Sequence, residues 1–143
     1  MGVKQKIAVE LTSANINLTH NIAIRCPINS LCIDQAFWTA DGSYLVTGIS
    51  YVHSTAGSDA SAVNLQISKD TGTAAPGAGT DLLTNNTNAG FDCKGTANTV
   101  QAGVLVAAEA TRTLVSGDRL SLDFAGTVTA LAGVVVTVSL RRV

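Results

Sequence analysis

An all-β fold, two antiparallel sheets packed as a sandwich in a single domain, is what this sequence predicts. Three observations lead there. Helix formers are scarce among the 143 residues, with two Glu, four Lys and one Met, while Val, Ile and Thr suit a pleated, half-buried backbone. Apolar residues recur at every second position in several windows. Turn-forming Gly, Asn and Asp clusters separate those windows, giving eight or so short strands. A chain of this length buries roughly 70% of its unfolded surface, enough for one core without disulfide or metal staples. Residues 1–143 therefore read as one domain, with residues 1–6 as a short flexible N-terminal arm.

Along the chain, Ile7, Val9 and Leu11 alternate with Lys6, Ala8 and Glu10, and Ile16, Leu18, Ile22 and Ile24 continue the pattern around His20. Asp41-Gly42, between "CIDQAFWTA" and "SYLVTGISYVHS", is a two-residue hairpin signal. That register sets Phe37 opposite Val46 on one face and Trp38 opposite Leu45 on the other. Both faces are then partly apolar, so the second face needs a cover: an arm, a loop or a neighbouring subunit. Trp38, Leu45 and Ile49 are the residues expected at such a subunit interface. Further on, Val63, Leu65 and Ile67 alternate with Asn64, Gln66 and Ser68. Residues 69–99, rich in Gly, Ala, Thr and Asn, read as long middle loops with one short helical turn at "DLLTN". In "AGVLVAAEATRTLV", "VLVA" suits a strand and "AAEA" a helix turn, and strand is the favoured reading of the segment. Leu120, Leu122 and Phe124 alternate with Arg119, Ser121 and Asp123, and Val134, Val136, Val138 and Leu140 share one face of the last strand.

Charge narrows the functions. Charged residues make up 13% of the chain, about half the usual share, and the net charge is −1 with no basic run. Phosphate contacts dominate nucleic-acid affinity, so nucleic acid is not an expected partner. No apolar run approaches a membrane span, and "MGVKQKIAVEL" carries no apolar signal core, so the expectation is synthesis in the cytoplasm and no membrane partner. Cys26, Cys32 and Cys93 are odd in number and lack CxxC spacing, which argues for buried, reduced thiols.

Chemistry is thin. His20 and His53 cannot furnish a metal-binding jelly-roll site alone, and adjacent His53 and Ser54 face opposite ways on a strand. No GxSxG elbow is present, and the histidines read as surface or partner-facing groups. Gly90-x4-Gly95 is followed by Thr96 where a phosphate loop needs Lys, and "GAGTDL" lacks the third glycine of a dinucleotide fingerprint. Trp38, Tyr44 and Tyr51 invite a sugar-stacking platform, but Trp38 and Tyr44 fall on opposite faces in the hairpin register. The expectation is no enzyme, no cofactor and no metal.

"GDRLSLDFAGTVTALAGVVVTVSLRRV", with "DGSYLVTGISYVHSTAG" and "GFDCKGTANTVQAG" upstream, resembles the small jelly-roll head decoration (cement) proteins of tailed bacteriophages over roughly residues 20 to 143. That resemblance implies a jelly-roll sandwich working as a homotrimer on the outside of the virion, bound to the major capsid protein, with arms clamping neighbouring capsomers. Lys4 and Lys6 of the arm are then candidate capsid contacts. The alternatives are a carbohydrate-binding or host-attachment module on a virion and, after it, a trimeric ligand of the tumour-necrosis-factor type.

Overall fold

The computed structural model describes residues 19–143, so the arm, Lys4, Lys6 and the alternation at Ile7–Leu11 and Ile16–Leu18 lie outside the described residues. Ten strands follow: β1 (Thr19–Cys26), β2 (Gln35–Thr39), β3 (Tyr44–Val52), β4 (Asn64–Asp70), β5 (Thr80–Asp81), β6 (Phe91–Asp92), β7 (Gln101–Ala102), β8 (Thr113–Leu114), β9 (Arg119–Ala125) and β10 (Val134–Arg142). One sheet has the order β1-β10-β3, with β7 and β8 both on the far edge of β3. The other has the order β2-β9-β4, with β5 and β6 both on the far edge of β4. Every pairing is antiparallel.

Taking β5 with β6 and β7 with β8 as two interrupted strands leaves eight. The first pairs with the last, the second with the seventh, the third with the sixth and the fourth with the fifth, which is a jelly roll. The core lies between the sheets. Val134, Val136, Val138 and Leu140 of β10 line up with Tyr51, Ile49 and Val46 of β3, and they face Leu65 and Ile67 of β4 and Leu120 and Leu122 of β9. Each such fully buried aliphatic side chain stabilises the fold by roughly 1.5–3 kcal/mol.

Asp41-Gly42 does not close a hairpin. β2 pairs with β9 and β3 with β10, so Asp41-Gly42 is a corner at which the chain changes sheets. Phe37 does not oppose Val46, nor Trp38 Leu45. Two bulges flank the corner: Phe37 is the extra residue against β9, and Thr47 the extra residue against β10. A bulge inverts the parity of everything beyond it. Phe37 and Trp38 thus both pack against the core, while Leu45, opposite Arg141, faces outward and Ile49, opposite Val138, faces inward.

The middle of the chain departs from its reading too. "DLLTN" is no helix: Leu83 bridges Leu105, and Asn86, Thr87 and Asn88 form a left-handed turn with φ of 50°, 57° and 69°. The segment read as strand, 102–115, contributes only β7, β8 and one helical turn, α1 (Glu109–Arg112). Its function is cover, because the Arg112 guanidinium donates to the Val46 carbonyl at 3.0 Å across the outer face of β3.

Candidate interaction surface

One lateral flank of the sandwich is bounded by β1 and β2. Among the described residues each is the edge strand of its sheet, so each leaves a row of backbone donors and acceptors unpaired. Between them, Ile22, Ile24, Phe37 and Trp38 are only partly buried, although all pack against the core. The β1–β2 connection extends this apolar strip. It holds a 3-10 turn (Asn29–Leu31), and Ile28, Leu31 and Ile33 are 54, 45 and 55% exposed. Three large aliphatic side chains on one short loop, continuous with two half-covered strand edges, are unlike the scattered single apolar residues of an ordinary surface.

At the opposite end of this flank the sheets part into a cleft of about 360 Å³ lined by His20, Asn21, Trp38, Asp41, Tyr44 and Leu140 among others. Trp38 and Tyr44 meet edge-to-face with ring centres 5.2 Å apart, and His20 stands 6.1 Å from Tyr44. They do not lie on opposite faces, because the corner at Asp41-Gly42 brings the two sheets together here. The Tyr44 hydroxyl donates to Asp41 Oδ1 at 2.5 Å, and this hydrogen bond holds the Asp41 carboxyl below its usual range while raising the tyrosine. Arg142 lies over the Tyr44 ring, 5.7 Å from its centre. The cleft therefore has an ionised carboxylate at its lip and an aromatic wall.

The residues expected at an interface are divided by this geometry. Trp38 stands on the open flank. Leu45 and Ile49 are 4 and 5% exposed within the single chain, Leu45 beside α1 and Ile49 in the core, so the bare second face expected of them is already covered. Nothing in the alternation pattern points to Ile28, Leu31 and Ile33. The available signal is three aliphatic residues within a turn-rich connection, where polar residues are the rule.

His53 corrects its reading as a surface or partner-facing group. It is buried, with Nδ1 2.9 Å from the Tyr51 hydroxyl and Nε2 3.0 Å from the Gly95 carbonyl, so both ring nitrogens are occupied. His20 is exposed at the cleft. Cys26, Cys32 and Cys93 are free and buried, as their sequence context predicts. Among the described residues no three His, Cys, Asp or Glu side chains are grouped to hold a metal ion, and no helix is long and apolar enough to cross a membrane.

The two glycine motifs have structural explanations. Gly77 and Gly79 donate their N–H groups to the buried Asp70 carboxylate, and a Cβ on Gly79 would sit 2.1 Å from the Lys69 carbonyl oxygen. Gly90, at φ +91°, lies against the Leu65 carbonyl at a distance no side chain permits. Comparison with family models, with curated proteins and with solved structures gives no match for this chain.

Proposed function

We propose that the chain is a structural virion protein, a decoration or cement protein of a phage head that binds the outside of the major capsid shell as a homotrimer and stabilises it. The observation that carries this reading is the open flank, where Ile28, Leu31 and Ile33 continue the edges of β1 and β2, which are unpaired among the described residues. Apolar side chains beside unpaired backbone suit a surface that is covered by another protein, either through side-chain packing or by strand addition. The jelly-roll frame behind it is rigid, and rigid elements lose little entropy on docking. Identical contacts repeated over a shell add through multivalency, so each one can be weak. In this reading Trp38 serves the subunit interface, Lys4 and Lys6 of the N-terminal arm meet acidic capsid residues, and the protein resides on the capsid exterior.

Imaging virions with and without the protein tests the reading directly. Density should appear on the head at three-fold or quasi-three-fold positions only when the protein is present, and light scattering at micromolar concentration should report three times 14.6 kDa. Density on the tail alone, or none, would reject it.

The cleft favours a second reading, a carbohydrate-binding or host-attachment module on a virion. Trp38, Tyr44 and His20 form one aromatic wall beside Asp41 and Asn21, the mixture of ring faces and polar groups that sugars use. Titration with host-surface glycans would show saturable heat that Trp38→Ala abolishes. Absence of heat across the panel would set this reading aside.

A further inference from the structure

Two of the three cysteines bracket the apolar loop. Cys26 ends β1 and Cys32 follows the 3-10 turn, and both side chains enter the core cluster at the base of the open flank. The turn folds the chain back between them: the Leu31 N–H donates to the Ile28 carbonyl and the Cys32 N–H to the Asn29 carbonyl, each at 3.0 Å. The Cys32 thiol donates to the Ile28 carbonyl at 3.7 Å and lies beside the Cys26 thiol. Cys93 belongs to another segment, next to β6, where its thiol donates to the Phe91 carbonyl at 3.9 Å. Two thiols six residues apart, turned toward each other by a hydrogen-bonded reversal, are a closed ring lacking one bond.

We propose that Cys26 and Cys32 are a redox modification site, forming a disulfide on exposure to a small disulfide oxidant such as oxidised glutathione and so fixing the loop that presents Ile28 and Leu31. The step balances. The Cys26 thiolate attacks one sulfur of the oxidant, the S–S bond breaks, and one glutathione thiolate leaves. The Cys32 thiolate then attacks Cys26 Sγ in the mixed disulfide and expels the second glutathione. Two protein thiols lose two electrons to the oxidant, and the two protons they release go to the two glutathione thiolates. Local electrostatics assist: Cys32 holds the Cys26 thiol below its usual range, whereas Cys32 and Cys93 are raised, the latter by burial to about 11. Cys26 is thus the group of the three suited to attack first, and because it is fully buried the exchange needs the 27–33 loop to open, so refolding from denaturant should oxidise the pair faster than native incubation.

The thiol pair belongs to the chain alone, so its test is independent of capsid docking. The protein is incubated natively, and in parallel refolded from denaturant, in a glutathione redox buffer; free thiols are then titrated in denaturant. The expected result is a fall from three thiols to one. Trypsin leaves Cys26 and Cys32 together in peptide 26–69 and Cys93 in peptide 70–94, so the bond should appear as peptide 26–69 lighter by about 2 Da, with 70–94 unmodified. Cys93→Ser should still lose two thiols, whereas Cys32→Ser should form no bond within the chain and should hold Cys26 as the unresolved glutathione mixed disulfide, heavier by about 305 Da. Three thiols surviving both treatments would overturn the proposal. So would a cross-link between peptides 26–69 and 70–94, which would make Cys93 the partner.

Discussion

The two flanks of the sandwich are built on opposite principles. On the flank beyond β4, polar groups are buried, and each is used to fasten a loop over the sheet. Gln66 makes four hydrogen bonds: Oε1 accepts from the N–H groups of Ile67 and Leu83, and Nε2 donates to the carbonyls of Leu83 and Asn88, all at 3.0 Å. Asp70 accepts from Ser68, Ser121, Gly77 and Gly79, tying the 71–79 loop to β4 and β9. On the flank bounded by β1 and β2, among the described residues, the strand edges are unpaired and Ile28, Leu31 and Ile33 are exposed together on one loop, whereas Val100, Val104 and Val115 are exposed at separate positions elsewhere. The closed flank is completed by its own chain. The open flank is the part of the molecule suited to completion by another.

The largest effects should come from the core that both flanks share. Val136 is fully buried, so Val136→Asp places a carboxylate between the sheets with no partner and should cost about 4 kcal/mol or more, a large share of a domain's stability. Thr137→Asp, on the outer face of the same strand, should cost under about 1 kcal/mol. Denaturant melts of the two variants measure the difference. Equal losses would mean that the outer face of β10 is as closed as its inner one.

Next come the fastenings of the closed flank. Asp70→Asn keeps the shape but replaces one acceptor oxygen by a donor, which must face either the Gly77 N–H and Ser121 or the Gly79 N–H and Ser68, and should cost about 2–3 kcal/mol. Asp41→Asn, at the lip of the open cleft, should change stability by no more than about 0.5 kcal/mol. A comparable loss at both positions, read from midpoints at pH 7, would erase the contrast between the flanks.

Period-two alternation made the frame of the molecule legible: β4, β9 and β10 lie where Leu65, Leu122 and Val136 place them. The corner was not legible. Asp41-Gly42 has the composition of a hairpin, and whether two strands diverge after a turn is decided by their partners, β9 and β10, some eighty to a hundred residues away. The bulges at Phe37 and Thr47 leave no composition signal, yet they decide which way Trp38 and Leu45 point. Burial of polar groups was hidden for a related reason. Gln66 and Ser68 read as the wet side of an alternating strand and Asp70 as part of a loop, and only the fold brings the 71–79 and 83–90 loops across them. The apolar flank was half visible, through Trp38 but not through Ile28, Leu31 and Ile33.

Alkaline pH should separate core from flank by a smaller margin. Burial raises the Cys93 thiol from 9.0 to about 11. The folded state therefore keeps a proton that the unfolded state releases above about pH 9. The contribution is complete below that pH and disappears as pH rises through about 11, a loss of about 3 kcal/mol across the window. Tyr51, raised chiefly by burial, acts in the same direction. Melts at pH 8 and 10.5 should show this decline, and Cys93→Ala should flatten it. An unchanged slope in that variant would assign the alkaline loss to other groups.

The smallest effect on stability should accompany the largest effect on association. Ile28 and Leu31 are about half exposed and lie outside the strands, so Ile28→Ser with Leu31→Ser removes little buried area and should shift stability by about 0.5 kcal/mol or less. If the open flank is completed by another protein, the same double variant loses apolar anchors at the centre of that contact, where side chains of this size often cost more than 1 kcal/mol each when truncated. Capsid binding should weaken by at least tenfold, or, if the flank joins subunits, the trimer should dissociate at micromolar concentration. Deleting residues 2 to 6 provides the contrast, because Lys4 and Lys6 would act through screened charge. Under the proposed function that truncation should preserve folding and any self-association, and the capsid affinity it loses should be greater at low salt than at high. The serine pair should lose affinity equally at both. A serine pair that folds, associates and decorates shells like the parent protein would show that the open flank has no partner, and docking would then have to run through the 71–99 loops on the closed side.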